Sequence, residues 1–207
     1  MIVSIEGLIG IGKSTLIEHL KNNLKEINGK PLVFLKEPIE EWQGLIELFY
    51  KDQKRYAFSF QLTVLVTMAR LLKKTIKDNP DSIIICERSV FSSRDVFVKM
   101  LYDNKMISDI DYQLYLMLFD EITKDIPLSG VIYLKATPST CLESIKTRNR
   151  SGEEGMQLDY LEKCQEFHDE FFKNNCMHNC RRLKMSGECL GCVSEKVEII
   201  KDFLESK

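Results

Sequence analysis

No stretch of this chain is apolar for long enough to cross a bilayer. Purely apolar runs such as Ile83 to Cys86 span only a few residues, where a membrane helix needs about 20. The terminal Leu204-Glu205-Ser206-Lys207 carries no lipidation signal, so no membrane partner is expected. A lysine- or arginine-rich block is missing too. With a formal net charge of -2 and a pI near 6.0, the chain lacks the basic face that a nucleic-acid partner demands, although small anions can still be bound locally. Repeats, low-complexity tracts and linkers are absent. A strand-like run, Ile2 to Ile5, starts directly after Met1; that leaves no room for a presequence, so a cytoplasmic location is expected.

With no secretory signal, the seven cysteines read as small buried hydrophobes rather than as a disulfide framework. Cys176-x3-Cys180, with His178 inside it, and Cys189-x2-Cys192 have the spacing of zinc ligands. The intervening Arg181 to Ser186 reads as a strand, however. At about 3.3 Å per residue it would hold the pairs ~15 Å apart, too far for one tetrahedral ion.

What is present is an ordinary globular composition, 44% hydrophobic and 29% charged over 207 residues, enough for a single domain spanning 1–207. Short apolar runs recur at Ile2 to Ile5, Leu32 to Leu35, Ser82 to Cys86, Gly130 to Leu134 and Leu183 to Met185, separated by segments of helical periodicity. Runs apolar on consecutive residues fit strands covered on both faces, which predicts an α/β fold with a parallel sheet and helices on each side. Thr137-Pro138 offers a helix cap followed by a first-turn proline. Between Arg55 and Lys77, the residues Phe58, Leu62, Leu65, Ala69, Leu72 and Ile76 form one buried stripe of a long helix. Gln61, Val64 and Met68 fall on a second face of that helix.

Gly7-Leu8-Ile9-Gly10-Ile11-Gly12-Lys13-Ser14 fits G-x4-G-K-[ST] between a predicted strand and a predicted helix. Its glycines let backbone N–H groups curl around phosphates, Lys13 adds a point charge and Ser14 offers a magnesium ligand. The phosphate-binding set is Gly7, Gly10, Gly12, Lys13, Ser14 and Thr15. A P-loop alone does not separate GTPases, ATPases and kinases, but no Asn-Lys-x-Asp guanine-reading motif is present. Cys86-Glu87-Arg88-Ser89 brings a carboxylate and a guanidinium to the carboxyl edge of the sheet, where open α/β sheets bind ligands. Glu87 is therefore a candidate magnesium ligand, directly or through water. In Leu35-Lys36-Glu37-Pro38 the proline restricts Glu37 to an extended backbone, making Glu37 the candidate general base.

The set Gly7 to Ser14, Glu37-Pro38 with Trp42, Phe60-Gln61, Glu87-Arg88-Ser89 and Arg148-Asn149-Arg150 resembles the deoxyribonucleoside kinase family, which includes deoxycytidine, deoxyguanosine and mitochondrial-type thymidine kinases. The likeness runs over nearly the whole chain. It implies a P-loop kinase fold with a five-stranded parallel sheet, an arginine-bearing lid over approximately 144–155, a homodimer, and ATP with Mg2+ as phosphate donor. It further implies that Glu37 sits beside the sugar 5′-hydroxyl with Arg88 orienting it, and that Tyr50 and Glu153 hold the 3′-hydroxyl. Gln61 would bond the pyrimidine edge, Phe60 and Phe97 would sandwich the base, and Ile9, Trp42 and Phe49 would complete the walls. Arg148 and Arg150 would close over the transferring phosphoryl group, with Lys13 on the phosphates. Relatives commonly carry another arginine where this chain has Ser144, with Lys146 the nearest cation. Gly187-Glu188-Cys189-Leu190 lies where the family wraps the donor adenine.

Relatives that prefer deoxycytidine or purines hold an arginine and an aspartate at the positions of Met68 and Ser93, whereas thymidine-accepting ones hold methionine and alanine. The resemblance therefore implies phosphorylation of a pyrimidine deoxyribonucleoside, thymidine and/or deoxycytidine, in nucleotide salvage. Two alternatives stand beside it. A nucleoside monophosphate kinase shares the P-loop and lid, but the Glu37 carboxylate would repel its acceptor. A non-catalytic nucleotide-binding relative is suggested by Ser144 alone, against Lys13, Glu37 and Glu87 together.

Overall fold

The computed structural model describes residues 1–173, 180–187 and 193–206. Cys176, His178, Cys189 and Cys192 of the cysteine-rich spacing lie outside the described residues, as does Glu188-Cys189-Leu190. Five strands run parallel: β1 (Ile2–Glu6), β3 (Lys30–Leu35), β4 (Ile83–Glu87), β5 (Gly130–Lys135) and β6 (Arg181–Ser186). Among the described residues the sheet has six strands rather than the expected five, because β2 (Glu26–Ile27) pairs antiparallel with the start of β3. Asn28 and Gly29, at φ 51° and 74°, make the left-handed pair that a tight hairpin requires. The hairpin tucks Ile27, 2% exposed, into the core.

The strand order β2-β3-β4-β1-β5-β6 fixes where a ligand can sit. The chain leaves β1 toward the β3 edge and leaves β4 toward β5. The carboxyl ends of β1 and β4 therefore frame a crevice at the point where the winding reverses. Register pairs Ile5 with Glu87, so the P-loop and the Glu87-Arg88 pair emerge side by side.

Two apolar layers flank the sheet. Val3, Ile5, Ile83 and Ile85 face α1 (Lys13–Asn23), α7 (Pro138–Arg148), α8 (Leu158–Lys173) and α9 (Val193–Glu205). Ile2, Ile84 and Cys86 face α2 (Ile39–Lys51), α3 (Gln53–Asp78) and α6 (Asp109–Thr123). Consecutive residues of one strand thus serve opposite layers, which is why the runs are apolar without alternation. No helix among the described residues is long and apolar enough to cross a membrane.

Helix α3 buries a wider face than its first stripe. Leu65, Ala69 and Leu72 are buried as the periodicity requires, whereas Phe58, Leu62 and Ile76 are only half-buried and the second face, Gln61, Val64 and Met68, is sequestered. After β4 the chain forms α4 (Val90–Ser92), a π-helical stretch over Ser93–Val98, and α5 (Lys99–Asp103). A π-turn carries an extra residue per turn. It puts Ser93 and Phe97 on the cleft while Val96 and Val98 are fully buried. Helix α7 starts as read: the Thr137 hydroxyl accepts the Thr140 N–H at 3.3 Å, and Pro138 occupies the first turn. It ends at Asn149 in the left-handed region, φ 48°, which turns the chain out over the crevice.

Candidate active site

The P-loop follows β1 directly and ends in α1. Gly10 sits at φ 82°, and a Cβ there would lie 2.5 Å from the Cys141 carbonyl oxygen of α7. Only glycine lets the loop press against that helix. Lys13 is 5% exposed and folds back so that its Nζ donates to the carbonyls of Leu8 at 2.9 Å and Gly7 at 3.2 Å. Burial and then the nearby Arg88 charge push its pKa down to about 8. Ser14 Oγ donates to Glu87 Oε1 at 2.6 Å, so two hard oxygen donors converge at the phosphate end. That is the donor chemistry magnesium selects.

Beside the loop lies a buried ion pair. Arg88 Nε donates to Glu37 Oε1 at 3.0 Å, with side-chain exposures of 6% and 15%. Arg88 also donates from Nη1 to the Gly7 carbonyl at 3.1 Å and stacks over the Phe97 ring at 4.6 Å. Its backbone lies at φ 63°, a region few non-glycine residues adopt. Burial opposes the guanidinium charge, but the carboxylates of Glu37, Glu6 and Glu87 together raise its pKa. For Glu37, burial wins over the pull of Arg88 and the pKa is raised. Glu6, at the end of β1, is buried and accepts the Ser89 N–H at 2.9 Å.

From this pair a cleft of about 270 Å³ opens between α2, α3 and α8. Its wall is a chain of aromatic contacts: Trp42 edge-on to Phe60 at 6.4 Å, Phe60 to Phe49 at 4.9 Å, Phe49 to Tyr50 at 5.1 Å and Tyr50 to Tyr160 at 6.2 Å. The Trp42 indole N–H is tied off on Thr67 Oγ1 at 2.8 Å. The Tyr50 hydroxyl is kept protonated by burial and by the Glu153 charge. Gln61 is 3% exposed and lines the cleft, and its amide has no protein hydrogen-bond partner among the described residues. That amide opens onto the cleft, where a ligand can supply its partners.

The two arginines around the end of α7 converge on a single carboxylate. Glu153, its side chain 6% exposed, receives Arg148 at 2.6 and 3.2 Å and Arg150 at 3.4 Å. Ser151 Oγ anchors the turn to Glu47 of α2 at 2.7 Å. Ser144 is exposed on α7 with its hydroxyl donating to the Thr140 carbonyl at 3.1 Å, and neither it nor Lys146 lines the cleft.

The cleft therefore gathers Ile9, Gly10, Lys13, Ser14, Glu37, Trp42, Phe49, Tyr50, Phe60, Gln61, Val64, Glu87, Arg88, Ser93, Phe97, Arg148, Arg150 and Glu153. Met68 is not brought there. It is 2% exposed and belongs to the apolar layer shared by α2, α3 and α6. Gly12 and Thr15 instead border a small recess on the far side of the loop with Ile11, Gly187 and Lys196. Lys36, Ile39, Ile46 and Tyr160 join the lining unforeseen. For Ile46 the signal was its place four residues after Trp42 on one helix face.

A phosphate loop opening onto an aromatic cleft, with a carboxylate and a guanidinium at the junction, defines a P-loop phosphotransferase. The deoxynucleoside kinase family model matches residues 3–205. The chain is 31% identical to "Deoxyguanosine kinase, mitochondrial" of Xenopus laevis, over 82% of this chain and 72% of that one. It is 34% identical to "Probable deoxycytidine kinase FPV151" of Fowlpox virus, over 85% and 73%, and 29% identical to "Thymidine kinase 2, mitochondrial" of Homo sapiens, over 82% and 63%. The chain belongs to the deoxynucleoside kinase family, whose members phosphorylate deoxynucleosides with ATP as donor.

If Lys13 meets the phosphates of ATP, its depressed pKa makes donor capture depend on pH. The ammonium is charged below about pH 8 and neutral above it, so kcat/KM for ATP should fall as pH rises through that value. The kcat at saturating ATP should hold to higher pH, since bound phosphates favour the charged form. A kcat/KM for ATP that stays flat to pH 9.5 would contradict the assignment of that charge.

Proposed function

We propose that this chain, acting as one catalytic domain, transfers the γ-phosphoryl group of ATP to the 5′-hydroxyl of a pyrimidine deoxynucleoside in nucleotide salvage. The observation that carries the reading is the Arg88–Glu37 pair, buried at 3.0 Å where the P-loop meets the aromatic cleft. In this reading Glu37 accepts the hydrogen bond of the 5′-hydroxyl and takes its proton late, while Arg88 holds Glu37 in place. The raised Glu37 pKa makes it a better base than a solvated carboxylate. Ser14 and Glu87 fit a magnesium ion, which when bound neutralises phosphate charge. Lys13 holds the β/γ-phosphates, and Arg148 and Arg150 leave Glu153 to meet the transferring group. Released from them, Glu153 and the protonated Tyr50 hydroxyl hold the 3′-hydroxyl.

Base choice follows from Gln61 and its neighbours. The amide offers one acceptor and two donors, so by flipping it pairs with N3–H and O4 of thymine or with N3 and the 4-amino group of cytosine. Phe60 and Phe97 close over the two faces. Ser93 is 2% exposed and its proton is committed to the Ser89 carbonyl at 3.2 Å, so neither a charge nor a bulky group crowds the base. Val64 faces the cleft with Met68 behind it, leaving room for the thymine methyl, whose burial is worth roughly 0.8 kcal/mol.

A homodimer is supported by the exposed stripe on α6, where Ile110, Leu114 and Met117 are 79%, 42% and 70% exposed at spacings of four and three. Cys86, Cys164 and Cys180 carry thiols outside any disulfide, which suits a reducing compartment such as the cytosol; cell fractionation tests this. For the dimer, sedimentation should give twice the chain mass for the wild type and a monomer for Met117→Lys; a monomeric wild type would remove it.

The reading of the pocket is tested by kcat/KM for four deoxynucleosides with Mg-ATP. Thymidine should lead deoxycytidine by a several-fold margin, the size that burial of one methyl supplies, and purines should trail. Ser93→Asp places a carboxylate that repels thymine O4 and accepts from the cytosine amine, and should turn the preference to deoxycytidine by about 10-fold or more. Rejection of thymidine by the wild type, or an unchanged ratio in Ser93→Asp, would contradict it.

A further inference from the structure

His168 lies in α8, 1% exposed, and is not among the residues lining the cleft. Its Nδ1 is 2.7 Å from the Cys164 carbonyl oxygen one turn earlier in the helix. A carbonyl only accepts, so Nδ1 carries the ring proton and Nε2 presents a lone pair. That lone pair faces Arg88 Nη1 at 3.2 Å. Burial and the Arg88 charge push the imidazole pKa down to about 3, which keeps it an acceptor throughout the working range. The ring has little freedom to turn: it is parallel to Tyr133, 6.2 Å between centroids and 3° between planes, and edge-on to Phe97 at 5.7 Å and 87°. Tyr133 is itself tied to α8 through Asp169 at 3.0 Å.

The guanidinium is thereby held by different acceptors on different atoms. Nε is given to Glu37, and the two protons of Nη1 go to the Gly7 carbonyl and to His168. Nη2 has no protein partner among the described residues. Glu37 is part of the reacting set, and the Gly7 carbonyl also accepts from Lys13, a group that a triphosphate draws away. His168 is the acceptor that neither substrate engages.

We infer that His168 is a positioning residue for phosphoryl transfer: its Nε2 fixes the plane in which Arg88 holds Glu37 and turns the Nη2 edge toward the reacting oxygens. The inference rests on the proposed role of the Arg88–Glu37 pair. The chemistry asks only for a neutral acceptor at the Nε2 position. Leucine fills the space without one, and the side-chain oxygen of glutamine restores one.

The test uses the full chain, thymidine and ATP, with kcat and both KM values measured for His168→Leu, His168→Gln, Arg88→Lys and His168→Leu/Arg88→Lys. His168→Leu should lower kcat roughly 10- to 100-fold, the span of a hydrogen bond to a charged group, with each KM within about two-fold of wild type. His168→Gln should regain most of the loss. In the Arg88→Lys background the leucine substitution should change kcat by less than about two-fold, because an interaction already removed cannot be lost twice. Equal loss in the leucine and glutamine variants, a loss carried by KM or by the folded fraction, or full additivity with Arg88→Lys would overturn the inference. A normal kcat in His168→Leu beside a crippled Arg88→Lys would sink this inference alone. A normal kcat in Arg88→Lys would remove the parent reading of the pair as well.

Discussion

The site depends on one buried cation. Arg88 lies under the cleft floor, 5% exposed, and its guanidinium ties together the β1 loop through Gly7, the β3 loop through Glu37 and α8 through His168. Taking a charge out of water costs several kcal/mol, and a buried ion pair seldom returns more than that. The pair is therefore a poor device for stability and a good one for geometry. Replacing either partner strands the other, so one arrangement of three elements is selected over its competitors. The left-handed backbone of Arg88 belongs to the same arrangement, as local strain held by the contacts around it.

Charge organises what surrounds that cation. Glu6, Glu37 and Glu87 crowd the positive pair Arg88 and Lys13, and each carboxylate has a separate duty set by its neighbours. Glu6 accepts the Ser89 N–H and so braces the turn after β4. Glu87 accepts the Ser14 hydroxyl at the phosphate end, and Glu37 faces the cleft. Glu153 supplies a fourth negative charge and pairs with both Arg148 and Arg150. Phosphoryl transfer, with negative charge spread over its transition state, gains more from fixed positive charges than from any covalent step.

Much of this was legible in the sequence. Glycine spacing, the Glu37-Pro38 dipeptide and Glu87-Arg88-Ser89 each carry a local constraint, and local constraints survive folding. The parallel strands were readable because their runs are apolar on both faces. The short antiparallel β2 was not found, although Asn28-Gly29 is a strong hairpin signal; the strand beside it has only two residues and no periodicity. Met68 reads as a pocket residue from its spacing on α3, yet spacing fixes only which helix face a residue shares. Where the cleft ends along that face depends on the packing of α2 across it. The π-turn at Ser93–Val98 and the reach of His168 to Arg88, 80 residues apart, have no sequence signature because both arise from tertiary packing.

In the proposed reaction Glu37, held by Arg88, stands beside the hydroxyl that receives the phosphoryl group. Transfer of label from γ-labelled ATP to thymidine, compared in the wild type and in Glu37→Gln, tests it most directly. The wild type should place the label on the 5′ oxygen, and Glu37→Gln should bind thymidine nearly as well while turning over about 10²- to 10⁴-fold more slowly. Label released by the wild type as free phosphate, or near-normal turnover in Glu37→Gln, would contradict it.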